Sequence, residues 1–365
     1  MRQNNALQVY YDERHVGTLA MTADYKVAFQ YCEEWLENGF PISPFSLPLK
    51  KQVFVPTKDY FDGLFGVFAD SLPDNWGRLL LNRLLREHKQ NLDELTVLDR
   101  LAIVGKSGMG ALTYYPEKSF SEQQKPVNLD ELAEECAKIL NTEYSDKLDE
   151  LYHLGGTSGG ARPKIMTTID RKDWIIKFPA HVDGKDAGKM EYDYSCCARQ
   201  CGITMSETKL FPSDIGKGYF GISRFDREAD GKRLHMLTAA ALLELDFEQP
   251  SLDYHSLMKL TKILTRDNKE DVENMFRRMC FNVFAHNRDD HSKNFTYLYD
   301  EINDQWRLSP AYDLTYSNTY YGEHTTTVDG NGRNPGRKEL LAVGIAAGMR
   351  KSNCERIIDT IQACV

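Results

Sequence analysis

No stretch of this 365-residue chain approaches the roughly 18 consecutive apolar residues of a membrane span. The opening MRQNNALQVYYDERHVGTLA lacks the apolar core of a secretory signal. A cytoplasmic protein with no membrane partner is therefore expected. Eight cysteines are present but no C-x-x-C pair, and Cys196, Cys197 and Cys201 crowd into a segment that reads as a helix. That usage excludes a disulfide scaffold and favours buried reduced thiols in a reducing compartment, with a zinc site well behind. Excess positive charge is missing too. A net charge of −9 argues against a large sequence-independent DNA footprint for the chain alone, so any nucleic-acid role would pass through a partner. Internal repeats and low-complexity tracts are also absent.

What is present is ordinary globular material: 41% hydrophobic, 27% charged, with 19 Tyr and 17 Phe for rigid cores. The length suits two or three domains. LQVYYDERHVGTLAMT and VAFQYCEEWLEN alternate apolar and polar residues and read as short strands, with a turn near Asp12 to Gly17. The period then changes. PDNWGRLLLNRLLREHK, capped by Asp74 or Asn75, and LDELTVLDRLAIVGKSG both read as helices. Residues 116–150 are polar, with one amphipathic helix around Leu129 to Leu140, and suit an interdomain connection. Strands follow in PKIMTTIDRKDWIIKFPA, a helix from about Lys189 to Gln200, and more strands through GYFGISRFDR; after Arg233 the periodicity is mostly helical. The expected division is an α+β domain over 1–115, a connecting segment over 116–150, a β-rich lobe over 151–233 and a helical lobe over 234–365.

Four features carry candidate chemistry. LGGTSGGARPKIM places Gly155, Gly156, Gly159 and Gly160 around Thr157 and Ser158, just before a strand. Glycine runs free backbone N–H groups to point at phosphates, although an isolated run of this kind is more often a plain loop, and no Gly-Lys-Ser/Thr closes it into a P-loop. In DWIIKFPA a strand carries Lys177, and Glu191 follows in a helix. A buried lysine needs anions, which a helix carboxylate and nucleotide phosphates would supply; an edge-strand lysine reaching solvent is the plainer alternative.

The third feature is FNVFAHNRDDHSKNFTYLYD. Asp289 precedes Asn294 by five positions, the D-x-x-x-x-N spacing of kinase catalytic loops, where the aspartate orients the attacking hydroxyl and the asparagine ligates Mg²⁺. Lys293 would neutralise phosphate charge, and His291 would order the loop. A metal cluster of His286, Asp289, Asp290 and His291 competes, but its spacing is poor for ligation. Last, FTYLYDEINDQWRLSPAYDLTYS reads as a hairpin turning at Ile302 to Gln305 and ending in Asp313, where a second acidic Mg²⁺ ligand belongs. Each piece is weak alone. Their arrival in kinase order is what gives them weight.

GGTSGGARPK, WIIKFP, RFDR, NRDDHSKNF and SPAYDLTYS together resemble the HipA family of bacterial serine/threonine kinases, the toxins of HipA–HipB toxin–antitoxin modules. GLFGVFADSLPDNWGRLLLNRLL and GKSGMGALTYYP resemble its N-terminal domain, and VDGNGR with ELLAVGIAAGM its C-terminal region, so the likeness covers nearly the whole chain. The resemblance implies an α+β, bilobal protein-kinase-like fold behind a small α+β N-terminal domain. It implies ATP and Mg²⁺ as cofactors, Asp289 as catalytic aspartate, Asn294 and Asp313 as metal ligands, and Lys177 as the phosphate lysine with Glu191 as its partner. It also implies autophosphorylation in the Gly-rich loop at Thr157 or Ser158. A small helix-turn-helix HipB-like antitoxin, with DNA reached only through it, and a protein substrate such as an aminoacyl-tRNA synthetase complete the expectation. A small-molecule kinase and a catalytically silent co-repressor are the alternatives.

Overall fold

The computed structural model describes residues 4–89, 94–118, 128–157, 159–180, 183–246, 249–319 and 321–365. The chain is mixed α+β and divides into two compact units. One comprises Met1–Lys189, Lys209–Leu237 and Ala241–Glu244; the other comprises Met190–Thr208, Thr238–Ala240 and Leu245–Val365. No helix among the described residues is long and apolar enough to cross a membrane.

The first unit opens with β1 (Ala6–Tyr11), β2 (Arg14–Met21) and β3 (Val27–Tyr31), which with β4 (Leu112–Tyr115) form an antiparallel sheet in the order β3-β2-β1-β4. Period-2 alternation puts Leu7, Val9 and Tyr11 on the buried face. One local expectation narrows here and another fails. The turn closes at Asp12 (φ 51), and Gly17 lies inside β2 at a register shift, where an added Cβ would stand 2.2 Å from the Gln30 carbonyl. The strand expected through VAFQYCEEWLEN stops at Tyr31. Cys32 Sγ accepts the Trp35 amide as a helix cap, two glutamates occupy the first turn, and α1 (Glu33–Asn38) buries Trp35 instead.

Next come α2 (Gly66–Ala69), α3 (Asn75–Glu87) and α4 (Val97–Val104), the last held by a Thr96–Asp99 capping box and ended by Gly105 at φ 48. α5 (Leu129–Leu140) and α6 (Leu148–Gly155) precede the hairpin β5 (Lys164–Ile169) and β6 (Lys172–Lys177). With β7 (Thr208–Phe211) and β8 (Tyr219–Ser223) the hairpin makes a sheet ordered β5-β6-β8-β7. One apolar core joins these parts: Trp76 and Leu84 of α3, Leu132 and Ile139 of α5, Leu151 of α6, and Ile165, Trp174 and Ile176 of the hairpin. The polar 116–150 segment therefore contributes core through the apolar stripe of α5, whose residues recur at helical spacing.

His235 is a buried group of this unit that links two distant stretches. It is 1% exposed, its Nε2 lies 2.7 Å from the Ile42 carbonyl, and Tyr11 and Phe40 flank the ring. Burial drives its pKa down to about 4, against a smaller upward pull from the Ile42 carbonyl. A folded-state pKa below the unfolded 6.5 means that between those values the unfolded chain binds a proton the folded chain refuses. Stability is therefore lost as pH falls from about 6.5 to about 4, by roughly 3 kcal/mol if this group acts alone. Urea melts between pH 7 and pH 4.5 should show that slope, and His235→Asn should flatten it. An unchanged slope in the variant would assign the acid sensitivity elsewhere.

α7 (Ala187–Gln200), β9 (Met236–Thr238) and α8 (Ala239–Leu243) each run from one unit's residues into the other's. The second unit continues with α9 (Tyr254–Leu264), α10 (Lys269–Phe284), the hairpin β10 (Thr296–Asp300) and β11 (Gln305–Leu308), then α11 (Arg337–Ala346) and α12 (Lys351–Cys364). The hairpin register pairs Asp300 with Gln305, so its turn falls on 301–304, one residue before the expected place. Met275, Phe276, Met279, Cys280 and Phe281 of α10 are fully buried and form the spine of this unit.

Candidate active site

The loop after α10 departs from the helix at His286, whose φ of 52 breaks the helical path. Asp289 and Asp290 then part company. Asp289 is exposed, whereas Asp290 is fully buried. The Asp290 carboxylate accepts from Tyr254 OH at 2.9 Å and from the Thr326 amide at 3.1 Å, and faces His324 Nδ1 at 3.0 Å. Its carbonyl accepts from the Thr326 hydroxyl. Burial, with the nearby Asp290 charge, drives the Tyr254 phenol well above its ordinary pKa, so Tyr254 stays a donor. A buried carboxylate costs free energy unless its lone pairs are filled, and here three donors surround it. Asp290 anchors the loop; Asp289 is the carboxylate the anchor presents.

The network continues toward the second expected acidic ligand. Asn282 Nδ2 donates to Tyr254 OH at 2.9 Å, and Asn287 Nδ2 donates to Asn282 Oδ1 at 3.0 Å and to the Asp313 carbonyl at 3.1 Å. Asn287 also bridges in parallel to Ser317, so the loop and the 313–317 segment run side by side. Asp313 adopts φ 53, a left-handed conformation that non-glycine residues seldom take and that recurs at functional sites. Asn294, on a 3-10 turn over Ser292–Asn294, donates its Nδ2 to the Asp289 carbonyl at 2.7 Å. That bond commits the amide nitrogen and leaves Oδ1 as the atom able to meet a cation. The Lys293 carbonyl accepts from Tyr312 OH at 2.6 Å, which ties the loop to the post-hairpin segment again. Asp289, Asn294 and Asp313 thus sit on one braced substructure of the second unit. The ligand atoms these side chains offer are all oxygen, two carboxylates and an amide oxygen, a hard set that fits Mg²⁺. His286, Asp289, Asp290 and His291 do not gather as a metal group among the described residues, because adjacent aspartates point to opposite environments.

Glu191 is half-buried on α7, in the second unit. Lys177 and the Gly-rich loop belong to the first. Lys177 ends β6, opposite Lys164 of β5, with its Nζ 5.6 Å from the Phe220 ring centroid. Lys164 was not anticipated. It is 6% exposed and donates to the Gly159 carbonyl at 2.6 Å, and two lysines directly opposite on one sheet face repel unless an anion offsets them. Its sequence signal was its place four residues after the last glycine of the run.

The loop itself is anchored at both ends. Gly156 caps α6 where a Cβ would meet the Tyr152 ring at 2.3 Å, and Gly160, at φ 88, donates its amide to Asp74 Oδ2 at 3.0 Å. Gly159 passes 3.1 Å from the same carboxylate, measured from the position of an added Cβ. Thr157 is 6% exposed, and its hydroxyl donates to the Ser107 carbonyl at 3.0 Å. Ser158 lies outside the described residues. The Ser107 stretch is in turn gripped by RFDR and by Arg233 beyond it: Arg227 and Arg233 donate to the Gly108 and Gly110 carbonyls, and the Gly110 amide donates to Asp226 at 2.8 Å. Burial would raise the fully buried Asp226, but Arg224 and Arg227 hold it down at about 2. A buried ion cluster within RFDR thus binds the backbone of a motif more than 100 residues away.

A model of the HipA N-terminal domain matches residues 7–115, and one of the HipA-like C-terminal domain matches residues 156–365. Among curated proteins, "Putative kinase Y4mE" of Sinorhizobium fredii is 26% identical over 356 residues, spanning 86% of this chain and 78% of its own. "Putative kinase Y4dM" of the same organism is 27% identical over 170 residues, 43% of this chain and 40% of its own. HipA from Shewanella oneidensis MR-1, solved with HipB and its operator DNA, shares the fold with a TM-score of 0.72 at 18% identity, over 97% of this chain and 88% of that one. Two domain models in register with the site motifs leave one conclusion: the chain belongs to the HipA family.

Proposed function

We propose that this protein is an ATP- and Mg²⁺-dependent serine/threonine protein kinase and the toxin of a toxin–antitoxin module. The observation that carries the reading is the braced loop of the second unit, in which a buried Asp290 presents an exposed Asp289 beside Asn294, with Asn287 linking the loop to Asp313. Bound ATP would supply the γ-phosphoryl group. Asp289 takes the proton of the attacking hydroxyl as its oxygen bonds to phosphorus, and ADP leaves. Asn294 Oδ1 and the Asp313 carboxylate would hold Mg²⁺, and Lys293 would offset charge on the phosphoryl group. Lys177, with Lys164 opposite it on the β5–β6 hairpin, would meet the nucleotide phosphates beside the Gly-rich loop.

Autophosphorylation in the Gly-rich loop belongs to the same reading. Thr157 has its hydroxyl buried and committed to Ser107, which makes Ser158 the proposed acceptor. A HipB-like helix-turn-helix antitoxin is the proposed partner, carrying the DNA contacts that an acidic chain is poorly suited to make. The Shewanella assembly of HipA, HipB and operator DNA supports that partner class.

The test is incubation of the purified full chain with Mg²⁺ and ATP, followed by intact and peptide mass spectrometry. One phosphate on Ser158 and none on Thr157 is expected. Phosphate appearing only on added metabolites would turn the reading to a small-molecule kinase. ATP binding without any transfer, to itself or to lysate proteins, would turn it to a silent co-repressor.

A further inference from the structure

Three cysteines scattered in the sequence meet in the second unit. Cys197 and Cys201 stand one turn apart at the end of α7: the Cys201 amide donates to the Cys197 carbonyl at 2.9 Å, so i and i+4 share a face. Cys364, in the last turn of α12, lies across from them, and the Cys197 thiol donates to the Cys364 carbonyl at 3.4 Å. The three sulfurs lie within 4.8 Å of one another. Among the described residues no other three His, Cys, Asp or Glu side chains gather this way.

A single buried cysteine usually serves as a small apolar group, as Cys136 does in the core of the first unit. Three converging sulfurs are a different case. Two come from one helix at the i, i+4 spacing that lets paired side chains grip one metal ion, and the third from another helix. Cys201 is 2% exposed while Cys197 and Cys364 are half-buried, so the set has a sheltered floor and an open side for entry. Zn–S bonds of about 2.3 Å in a tetrahedron put sulfurs about 3.8 Å apart. The widest pair would need to close by about 1 Å, which side-chain rotation supplies.

We propose that Cys197, Cys201 and Cys364 form a binding site for a soft, thiophilic divalent cation, zinc by chemistry, with three thiolate ligands and a fourth position left to water or a small ligand. Each thiol gives up its proton as its sulfur bonds the metal, so one Zn²⁺ displaces three protons and no electrons move. The bound ion would clamp the end of α12 to α7, the helix that carries Glu191. The inference is independent of phosphoryl transfer.

The experiment titrates Co²⁺ and then Zn²⁺ into the reduced, chelator-treated full chain. One equivalent of Co²⁺ should give sulfur-to-cobalt charge transfer in the near ultraviolet and the intense visible bands of a tetrahedral site, both bleached by Zn²⁺. Zinc should protect three of the eight thiols from a thiol reagent and raise the thermal midpoint. Cys197→Ser and Cys364→Ser, both at partly exposed positions, should each weaken uptake by on the order of tenfold or more, and Cys196→Ser, one residue away, should not. Absence of the charge-transfer band, a band that survives Cys364→Ser, or oxidation to a disulfide without metal uptake would each overturn the site.

Discussion

Asp289→Asn is expected to lower phosphate transfer by about 10²–10⁴-fold, the usual reach of a positioned proton acceptor, while leaving the unfolding midpoint almost unchanged. The side chain is exposed, and the Asn294 bond to this residue ends on its backbone carbonyl, which the substitution keeps. Substitutions at such positions shift stability by no more than about 0.5 kcal/mol. Radiolabel transfer to protein and a urea melt, run on the same preparations, separate loss of chemistry from loss of fold. A variant that transfers phosphate at the native rate would remove Asp289 from the mechanism and with it the kinase reading of this loop.

One residue on, the expected result reverses. Asp290→Ala should destabilise the second unit by about 3–5 kcal/mol, because a buried charge partner is removed and its donors are left without an acceptor. Tyr254, the Thr326 amide and His324 all face that carboxylate. Since Tyr254 leads on through Asn282 and Asn287 to the Asp313 carbonyl, the loss should also slacken the link between the loop and Asp313. Asp290→Asn keeps an acceptor and the shape, so it should recover part of the stability. The measurement is denaturant unfolding of both variants. A cost below about 1 kcal/mol for Asp290→Ala would mean that the network does not hold the loop. Together the two substitutions test whether adjacent aspartates divide chemistry from support.

That division was not legible in the sequence. FNVFAHNRDDHSKNF offers two aspartates of equal rank, and the kinase spacing to Asn294 singles out Asp289 without saying what Asp290 does. Burial decides it, and burial depends on Tyr254, His324 and Thr326, which lie 34 to 36 positions away in the chain. The same holds for RFDR and GKSGMG. As words they marked a family; in the structure the buried RFDR ions grip the backbone of Gly108 and Gly110, and the same turn fixes Thr157. Strand reading failed at Glu33 because alternation in VAFQYCEEWLEN continues through a helix start that a cysteine caps, a weak signal in any sequence.

By itself the sequence determined the class of the fold, the placing of most helices, and the order of the candidate residues, because apolar periodicity and motif spacing are local properties written every few residues. The helix at Leu129–Leu140 and the β10–β11 hairpin followed from pattern alone. Only the tertiary structure decided which aspartate is buried, that Lys164 stands opposite Lys177, that α5 enters the core, and that Cys364 joins Cys197 and Cys201. Each of those depends on residues brought together from distant parts of the chain. Local periodicity carries no information about which distant segment will fill a lone pair, cover a stripe or complete a set of ligands.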